Sequence, residues 1–507
     1  MNIKYFFKYD FPASVVVFLV ALPLCLGVAL ASGAPLISGL IAGVVGGIVV
    51  GLLSGSPLSV SGPAAGLTVL VYMAISKLGS YEAFLLSVIM AGMIQFGFGL
   101  LRAGSIGNFI PISVVKGLLA AIGLILILKQ IPHFVGYDIN FEGDENFMQR
   151  DGRNTISGAF DSLDALTPGA IIIGLFSLLT LFLCDRPFYK EHRIFGALPG
   201  SIVVVTLAIL FHRLCSTYIP ALALDEKHLV SVPLLLESHG FTSIFVHPDF
   251  SQWNNPQIYF TALTIAIVAS LETLLSIEAC DKLDPYRRIT PLNRELKAQG
   301  VANSIAGLLG GLPVTSVIVR SSVNVNAGAK SKASAVTHSV ILLIAILAIP
   351  ELLRMIPLAC LAGLLISVGY KLAKPELFRE MYKKGISQFL PFFTTVVMVV
   401  FTDLLQGVFW GILVAVFFIL KTNFNQSIIL VNSGSSYLLK FTKDVSFLSK
   451  STLRNIFLKI PPNSKMIIDG TNSLFIDQDI RETISDFLKS CEASNIDVEL
   501  KNISATT

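Results

Sequence analysis

Charged residues are scarce in this sequence, and their scarcity excludes most classes of protein. Asp, Glu, Lys and Arg make up 14% of the 507 residues, whereas 53% are hydrophobic and the mean hydropathy is +0.74. A soluble globular domain carries about 25% charged residues, so the composition excludes a soluble protein and predicts several spans in a lipid bilayer. The net charge of +4 is small and the basic residues are dispersed, so no nucleic-acid partner is expected.

Cysteine and other reactive groups are equally sparse. Neither a C-x-x-C pair nor Cys/His ligand spacing occurs among the six cysteines, which argues against a disulfide framework and against a zinc site. A membrane enzyme would need a nucleophile motif or a metal cluster, and none is visible. We therefore expect no enzymatic activity and no cofactor.

Fourteen apolar runs are long enough to cross or enter a bilayer, and they fall into two sets of seven. The first set occupies about residues 8–213 and the second about 257–422, so residues 1–424 are assigned to a transmembrane transport domain. Residues 427–507 have the composition of a soluble domain. They predict an α/β module with strands at 437–442, 465–469 and 496–500 and helices at 450–458 and 477–491.

The two sets share motifs at a nearly constant offset. Gly51-Leu-Leu-Ser-Gly-Ser-Pro57 and Gly307-Leu-Leu-Gly-Gly-Leu-Pro313 have the same G-L-L-x-G-x-P pattern, and Gly123 corresponds to Gly369. Repeats with an odd number of spans must enter the membrane from opposite sides. The predicted fold is therefore an all-α polytopic membrane protein with a seven-plus-seven inverted repeat, followed by a small α/β domain.

Each G-L-L-x-G-x-P motif interrupts a helix inside the membrane region. The apolar runs that follow, residues 63–77 and 316–328, predict helices of roughly 18–21 Å, against a hydrocarbon core of about 30 Å. They are therefore predicted half-helices, with Thr315 and Ser316 as N-caps of the second. Inverted repeats bring the two N-termini together near the bilayer centre, where their free N–H groups attract anions.

The predicted substrate site is the gap between residues 59–68 and 314–320. Arg320 lies one turn into the second half-helix, where it either contributes positive potential to an anion or forms a structural ion pair. The candidate substrate-binding residues are Ser61, Gly62, Ala64, Thr68, Thr315, Ser316, Val317 and Arg320.

Lysine and arginine concentrate on one side of the predicted spans. The positive-inside rule makes that side cytoplasmic, so both termini are predicted to lie in the cytoplasm. The protein is predicted to be a multi-pass protein of the cell (inner) membrane. Lys116 is predicted at a lipid-facing or dimer-facing helix end. Surface or interface positions are predicted for His212, His228, His239 and His247.

Several longer motifs carry a family resemblance. They are Phe11-Pro-Ala-Ser14, Ser61-Gly-Pro-Ala-Ala-Gly-Leu-Thr68, Asn293-Arg-Glu-Leu296, Gln299-Gly-Val-Ala-Asn303 and Gly310-Gly-Leu-Pro313 with Arg320 and Asn324. Together they resemble the SulP family of anion transporters, also called solute carrier family 26, over nearly the whole chain. The tail resembles the STAS domain that closes most members. The resemblance implies a core domain and a gate domain, elevator-type alternating access for a small inorganic anion, and a homodimer.

The resemblance also implies a coupling-ion site. Glu272 and Ser276 are similar to an acidic residue and a hydroxyl that hold sodium in cyanobacterial bicarbonate transporters of this family, and Gly311 is a third candidate. Helical geometry agrees, because Thr261, Thr264, Glu272 and Ser276 fall within one stripe of about 120°.

Several alternatives stay open. Glu272 binds sodium or a proton as the coupling ion, or it pairs with Arg320 to hold two helices together. Bicarbonate is preferred over sulfate and chloride, because the segments around Glu272, Asn293 and Asn324 look most like those of the sodium-dependent bicarbonate carriers. An exchanger or a channel-like member would share the fold. Many members have small polar residues where this chain has Val317 and Val319, so backbone N–H groups must contribute more of the site.

Overall fold

The computed structural model describes residues 3–138, 154–162, 166–184, 186, 200–232, 245–425 and 427–503. The chain divides into two compact units, Met1–Ile412 and Leu413–Thr507. The division falls inside the last apolar helix, ahead of residue 424. The assignment of residues 1–424 to one transport domain stays a prediction. His239 lies outside the described residues.

Fourteen helices of the described chain correspond to the fourteen predicted spans. The first seven are α1 (Phe11–Ala31), α2 (Leu36–Leu53), α3 (Thr68–Leu78), α4 (Tyr81–Leu100), α5 (Ile112–Val135), α6 (Pro168–Cys184) and α7 (Gly200–Tyr218). The second seven are α8 (Pro256–Leu283), α9 (Leu292–Leu308), α10 (Ile318–Asn326), α11 (Ala333–Ala348), α12 (Leu358–Leu372), α13 (Ile386–Phe401) and α14 (Leu404–Asn425). The predicted seven-plus-seven arrangement is confirmed, and eight helices among the described residues are long and apolar enough to cross a membrane alone.

Repeat-equivalent residues meet where α5 packs against α12. A Cβ atom added at Gly123 would lie 2.6 Å from the carbonyl oxygen of Gly369, and one added at Gly369 would lie 2.6 Å from the carbonyl oxygen of Gly123. Each residue therefore contacts its own counterpart, which is the pattern expected beside a two-fold axis. The backbones approach so closely that neither position accommodates a side chain.

Extended backbone precedes both half-helices, as predicted, but α10 begins later than its sequence indicated. Thr315 and Ser316 do not cap it, because they belong to a short strand, β2 (Val314–Ser316). The cap position is Val317, which makes no side-chain cap, and the helix begins at Ile318. With nine residues, α10 is about 14 Å long and is a half-helix.

The first repeat has the same plan. β1 (Ser61–Pro63) is followed by a 3-10 turn over Ala65–Leu67 and then by α3, which has 11 residues. β1 and β2 pair with each other. Extended backbone at membrane depth needs partners for its N–H and C=O groups, and the pairing supplies them.

α9 is more polar than the other long spans because its polar face lies inside the protein. Glu295, Gln299 and Asn303 are all buried. The helix packs mainly against α4 and also contacts the end of α2 and β2. It therefore lies between the two interrupted segments and can fix both.

The second unit contains the predicted α/β domain. Its sheet has the order β3-β4-β5-β6, with β3 and β4 antiparallel and the other neighbours parallel. The elements are β3 (Ile428–Ser433), β4 (Ser436–Phe441), α15 (Lys450–Phe457), β5 (Lys465–Asp469), α16 (Gln478–Ser494) and β6 (Asp497–Lys501). The three predicted strands and two predicted helices are confirmed. β3 was not predicted, because its apolar residues follow the last span almost directly.

Candidate functional site

The two interrupted segments meet as a two-stranded ladder. β1 and β2 pair antiparallel, with Ser61 opposite Ser316 and Gly62 opposite Thr315. The sequence predicted a gap here that would hold an anion, but backbone hydrogen bonds close that gap. The space between the strands is therefore not open to an anion, and the starts of α3 and α10 beside the ladder stay the predicted position.

Three amide side chains hold the ladder in place. The Gln299 amide donates to the Ser61 hydroxyl oxygen at 2.8 Å. Asn303 accepts from the Val314 N–H at 2.6 Å and donates to the Val314 carbonyl at 2.9 Å. Asn324 on α10 donates to the backbone just before β1 at 2.9 Å. These residues belong to the motifs quoted above, but the motifs alone indicated no role for them. Burying a side-chain amide in a membrane span costs free energy unless the amide is hydrogen-bonded. The presence of these amides in apolar spans could therefore have indicated that they bond another part of the chain.

The predicted hydroxyl groups differ in their remaining hydrogen-bonding capacity. Thr315 is fully buried, and within the described residues its Oγ1 has no hydrogen-bond partner. The Ser316 hydroxyl lies 2.6 Å from the Ser59 hydroxyl. Thr68 Oγ1 donates to the Ala65 carbonyl at 2.8 Å. Thr315 therefore keeps a buried donor that a bound anion would satisfy.

The two apolar candidates, Val317 and Ala64, could offer only backbone N–H and C=O groups to the site. The Val317 N–H donates to the Val60 carbonyl at 3.0 Å, so it extends the ladder and is not available to an anion. Ala64 is buried, and its carbonyl accepts from the Leu67 N–H at 3.3 Å in the turn that opens α3.

Arg320 lies directly against the ladder. Its side chain is 1% exposed, and a Cβ atom added at Gly62 would lie 2.2 Å from its Nη1 atom. Within the described residues, the Nε and Nη1 atoms of Arg320 have no hydrogen-bond acceptor. No carboxylate oxygen there lies within 4.0 Å of the guanidinium nitrogens, the distance that defines an ion pair. The alternative in which Arg320 forms a structural ion pair with Glu272 is therefore wrong for this structure. A buried guanidinium with unused N–H groups strongly favours a bound anion.

Glu272 lines a cavity of about 680 Å³. Thr261 and Thr264 line the same cavity, as the helical stripe predicted, and so do Lys77 and Asp403. The carboxylate faces Gly66 at the start of α3, where an added Cβ atom would lie 3.1 Å from Glu272 Oε1. Gly66 was not among the predicted site residues, although it is part of a quoted motif.

The other two coupling-ion candidates are less closely associated with this cavity. Ser276 lies one turn after Glu272 and is buried, but it is not among the residues that line the cavity. Gly311 packs against Ile41 and Ala42 of α2, and its N–H donates to the Ala306 carbonyl at 2.7 Å. The structure therefore brings Glu272 to the start of α3, whereas the atoms nearest to Gly311 belong to α2 and α9.

Two charged clusters lie near the two ends of α5. Asp138, just after α5, bonds the Nδ1 atoms of His133 and His228 at 2.5 and 2.6 Å. Burial raises the pKa of Asp138, but these two bonds outweigh it and the pKa is lowered. His228 is buried and bonded, so of its predicted surface or interface position the surface alternative is wrong and the interface alternative stays a prediction.

The second cluster includes Lys116. Its Nζ atom lies 2.8 Å from Glu380 Oε1, in the short helix Pro375–Lys383, so the lysine pairs with a carboxylate of the same chain and does not face lipid alone. Its dimer-facing position stays a prediction. Hydrogen bonds from Lys116 and Lys384 lower the pKa of Glu380 to about 2.

Comparisons with known proteins agree with this fold. The Sulfate permease family profile matches residues 7–399. Over 415 residues the chain is 30% identical to the putative sulfate transporter YvdB of Bacillus subtilis (strain 168), covering 82% of this chain and 74% of that protein. Over 409 residues it is 25% identical to the bicarbonate transporter BicA of a Picosynechococcus species, covering 78% and 67% respectively.

Solved structures show the same transmembrane fold. The transmembrane domain of a cyanobacterial bicarbonate transporter, BicA, superposes with a TM-score of 0.56 at 24% identity, over 79% of this chain and 96% of that one. The murine Solute Carrier 26 family member A9 anion transporter, in its inward-facing state, gives a TM-score of 0.66 at 16% identity, over 100% of this chain and 87% of that one. Because the family profile covers most of its length, this chain belongs to the sulfate permease family of anion transporters and is not an enzyme.

Proposed function

We propose that this protein is a secondary active transporter that takes up bicarbonate together with sodium. The observation that carries the proposal is the buried Arg320 guanidinium, whose Nε and Nη1 have no acceptor within the described residues. The Thr315 hydroxyl, also buried and without a partner there, lies in the adjoining strand. An anion at this position would satisfy both groups, and its binding would be strengthened by the N-termini of α3 and α10.

Charge balance at the site depends on the state of Glu272. The two half-helix N-termini together supply about one unit of positive charge. Arg320 adds one positive charge and an ionised Glu272 one negative charge, so these two cancel and the remaining positive potential matches bicarbonate. With sodium bound at Glu272 the total rises to about two positive charges, which accepts either a monoanion or a dianion.

Sodium is the proposed coupling ion at Glu272. Hard cations prefer oxygen ligands, and the Glu272 carboxylate lies in a cavity that Thr261 and Thr264 also line. A sodium ion there would cancel the carboxylate charge close to the start of α3. Sodium and the anion would then favour one another's binding, which is the requirement for symport.

Both ions would cross the membrane with the core domain. We assign α1–α4 and α8–α11 to the core and α5–α7 and α12–α14 to the gate, and we expect a homodimer in the cell (inner) membrane with both termini cytoplasmic. The β1–β2 ladder supports a core that moves as one piece, because it joins the two repeats through backbone hydrogen bonds. This is elevator-type alternating access.

Uptake into proteoliposomes tests the proposal. Labelled bicarbonate, sulfate and chloride are supplied in turn, with and without an inward sodium gradient, and protein-free liposomes give the background. We expect sodium to drive accumulation of bicarbonate above its equilibrium concentration. Sodium-driven sulfate uptake that excess bicarbonate cannot compete away would overturn the substrate assignment.

Sulfate is the second candidate, and one observation favours it. The relative at 30% identity is named a putative sulfate transporter. If a proton occupied Glu272, Arg320 and the two helix N-termini would together supply about two positive charges, which suits a dianion. Uptake of sulfate driven by a proton gradient alone would support this alternative.

A further inference from the structure

A second buried carboxylate lies on α9, and the proposed function does not use it. Glu295 is 0% exposed. The Ser54 hydroxyl donates to its Oε2 atom, and the Gln299 amide donates to its Oε1 atom at 3.0 Å. Both donors are neutral, and within the described residues no ion pair includes Glu295. A charge buried in this way is costly, so the group is a candidate for a functional role.

Few ionisable groups face Glu295. On α8 they are Asp281 and the Cys280 thiol, and on its own helix Arg294. Asp281 is itself held by Thr290, whose N–H and hydroxyl each donate to it at 2.7 Å. Arg294 is directed elsewhere, because its Nε donates to the backbone at the end of α2 at 2.8 Å. Asp281 therefore opposes a charge on Glu295, whereas Arg294 favours it without forming an ion pair, because its Nε is bonded elsewhere.

A single amide connects Glu295 to the ladder. The Gln299 Nε2 atom that donates to Glu295 also donates to the Ser61 hydroxyl oxygen at 2.8 Å. The carboxylate therefore lies within about 6 Å of Ser61, which is opposite Ser316 in the ladder. An anion beside the ladder would sit close to this buried negative charge.

We propose that Glu295 is a proton-binding site linked to the anion site. The carboxyl takes up a proton as an anion binds beside the ladder, and it releases the proton when the anion leaves. The inference rests on the proposed anion transport. It does not require Glu272 or sodium, because Glu295 reaches the ladder through its own hydrogen bonds.

The link is electrostatic and reciprocal. Ser61 and Thr315 point to opposite faces of the ladder, so the two negative charges would lie about 8 to 12 Å apart. At an effective dielectric constant of about 20, they weaken each other's binding roughly tenfold to thirtyfold. Protonation of Glu295 removes that repulsion, so the anion binds more tightly, and the anion raises proton affinity by the same factor. The side-chain oxygen of Gln299 has no hydrogen-bond partner within the described residues, and rotation of the amide by half a turn would present it to Glu295 as an acceptor for the added proton.

The test measures the pH dependence of anion affinity in proteoliposomes of the full chain. Labelled sulfate, whose charge is constant over the range, is supplied at external pH 5.5 to 8.5, and labelled bicarbonate and chloride are supplied at constant concentration. For a transported anion, the wild-type KM should rise by about tenfold to thirtyfold as the pH increases. In Glu295→Gln, which has the same shape but cannot titrate, KM should stay near its low-pH value.

Two further variants make the result decisive. Glu278→Gln removes a carboxylate that pairs with Lys282 on α8 at 3.3 Å, and it should keep the wild-type pH dependence. Ser54→Ala removes a donor to the charged carboxylate, so the midpoint of the KM change should move to higher pH. This variant also tests the inference if Glu295→Gln does not fold.

The outcomes separate this inference from the proposed function. If sulfate is transported and bicarbonate is not, the proposed substrate fails while the linkage is still measured with sulfate. A wild-type KM that is constant with pH, or a Glu295→Gln variant that keeps the full pH dependence, would overturn the linkage. An unmoved midpoint in Ser54→Ala would overturn it as well.

Discussion

Replacing Gly62 by alanine should displace Arg320 and weaken anion binding. A Cβ atom at this position would lie 2.2 Å from Nη1 and 3.2 Å from Cζ of the guanidinium. Non-bonded carbon and nitrogen atoms need about 3.5 Å, so the guanidinium must move by about 1 Å or more. The β1 backbone cannot yield instead, because it is paired with β2.

The size of the effect follows from the bond that is lost. A hydrogen bond between a charged donor and an acceptor contributes about 1.5 to 3 kcal/mol. Its loss corresponds to an increase in KM of about tenfold to 150-fold. Folding should be affected less than transport, because Arg320 has no ion-pair partner within the described residues that its movement would leave behind.

The assay compares anion uptake by Gly62→Ala with uptake by Gly97→Ala. No atom lies within 4 Å of a Cβ atom added at Gly97, so this control should keep the wild-type KM. A double-mutant cycle with Arg320→Met separates the cause, since the Gly62 substitution should add little once the guanidinium is gone. A folded Gly62→Ala protein with wild-type KM would refute the reasoning. So would an equal loss in the presence and absence of Arg320.

Three further predictions address other parts of the molecule. Glu272→Gln should abolish sodium-driven accumulation while the protein stays folded, and uptake equal to wild type would contradict the coupling role. Gly369→Ala should lower the thermal unfolding temperature, because the added Cβ atom meets the Gly123 carbonyl oxygen at 2.6 Å; a Tm equal to wild type would contradict that contact. The pKa of Asp138 is lowered by its two histidine bonds, so its stabilisation is present above about pH 3.9 and is lost as the pH falls through the lower folded value. Asp138→Asn should therefore unfold at a lower temperature at pH 6 and show less change in Tm below pH 4.

Long apolar runs made most of the fold predictable from the sequence. Spans such as α1 and α5 require only length and hydropathy, and the tail domain alternates strand and helix patterns clearly. The inverted repeat could also be predicted from the sequence, because Gly123 and Gly369 occupy equivalent positions in the two sets of spans. Glu272 could be singled out because a carboxylate within a span is costly.

The interior of the site could be predicted only in part. Thr315 and Ser316 are typical helix caps by residue type, yet strand pairing with a segment some 250 residues away overrides that local preference. Gln299 was assigned to a motif without a role, since its function depends on which residue of the other repeat it faces.

The contact between Gly123 and Gly369 also constrains how the protein is made. The two residues lie about 250 positions apart, and ribosomes add about 5 to 20 residues per second. Once Gly123 has been added, synthesis needs roughly 12 to 50 seconds to reach Gly369. For that interval α5 lies in the membrane with a groove shaped for a helix that does not yet exist, and β1 has no strand to pair with. The first repeat must therefore be held open, by lipid or by the insertion machinery, until the second repeat is made and both contacts close.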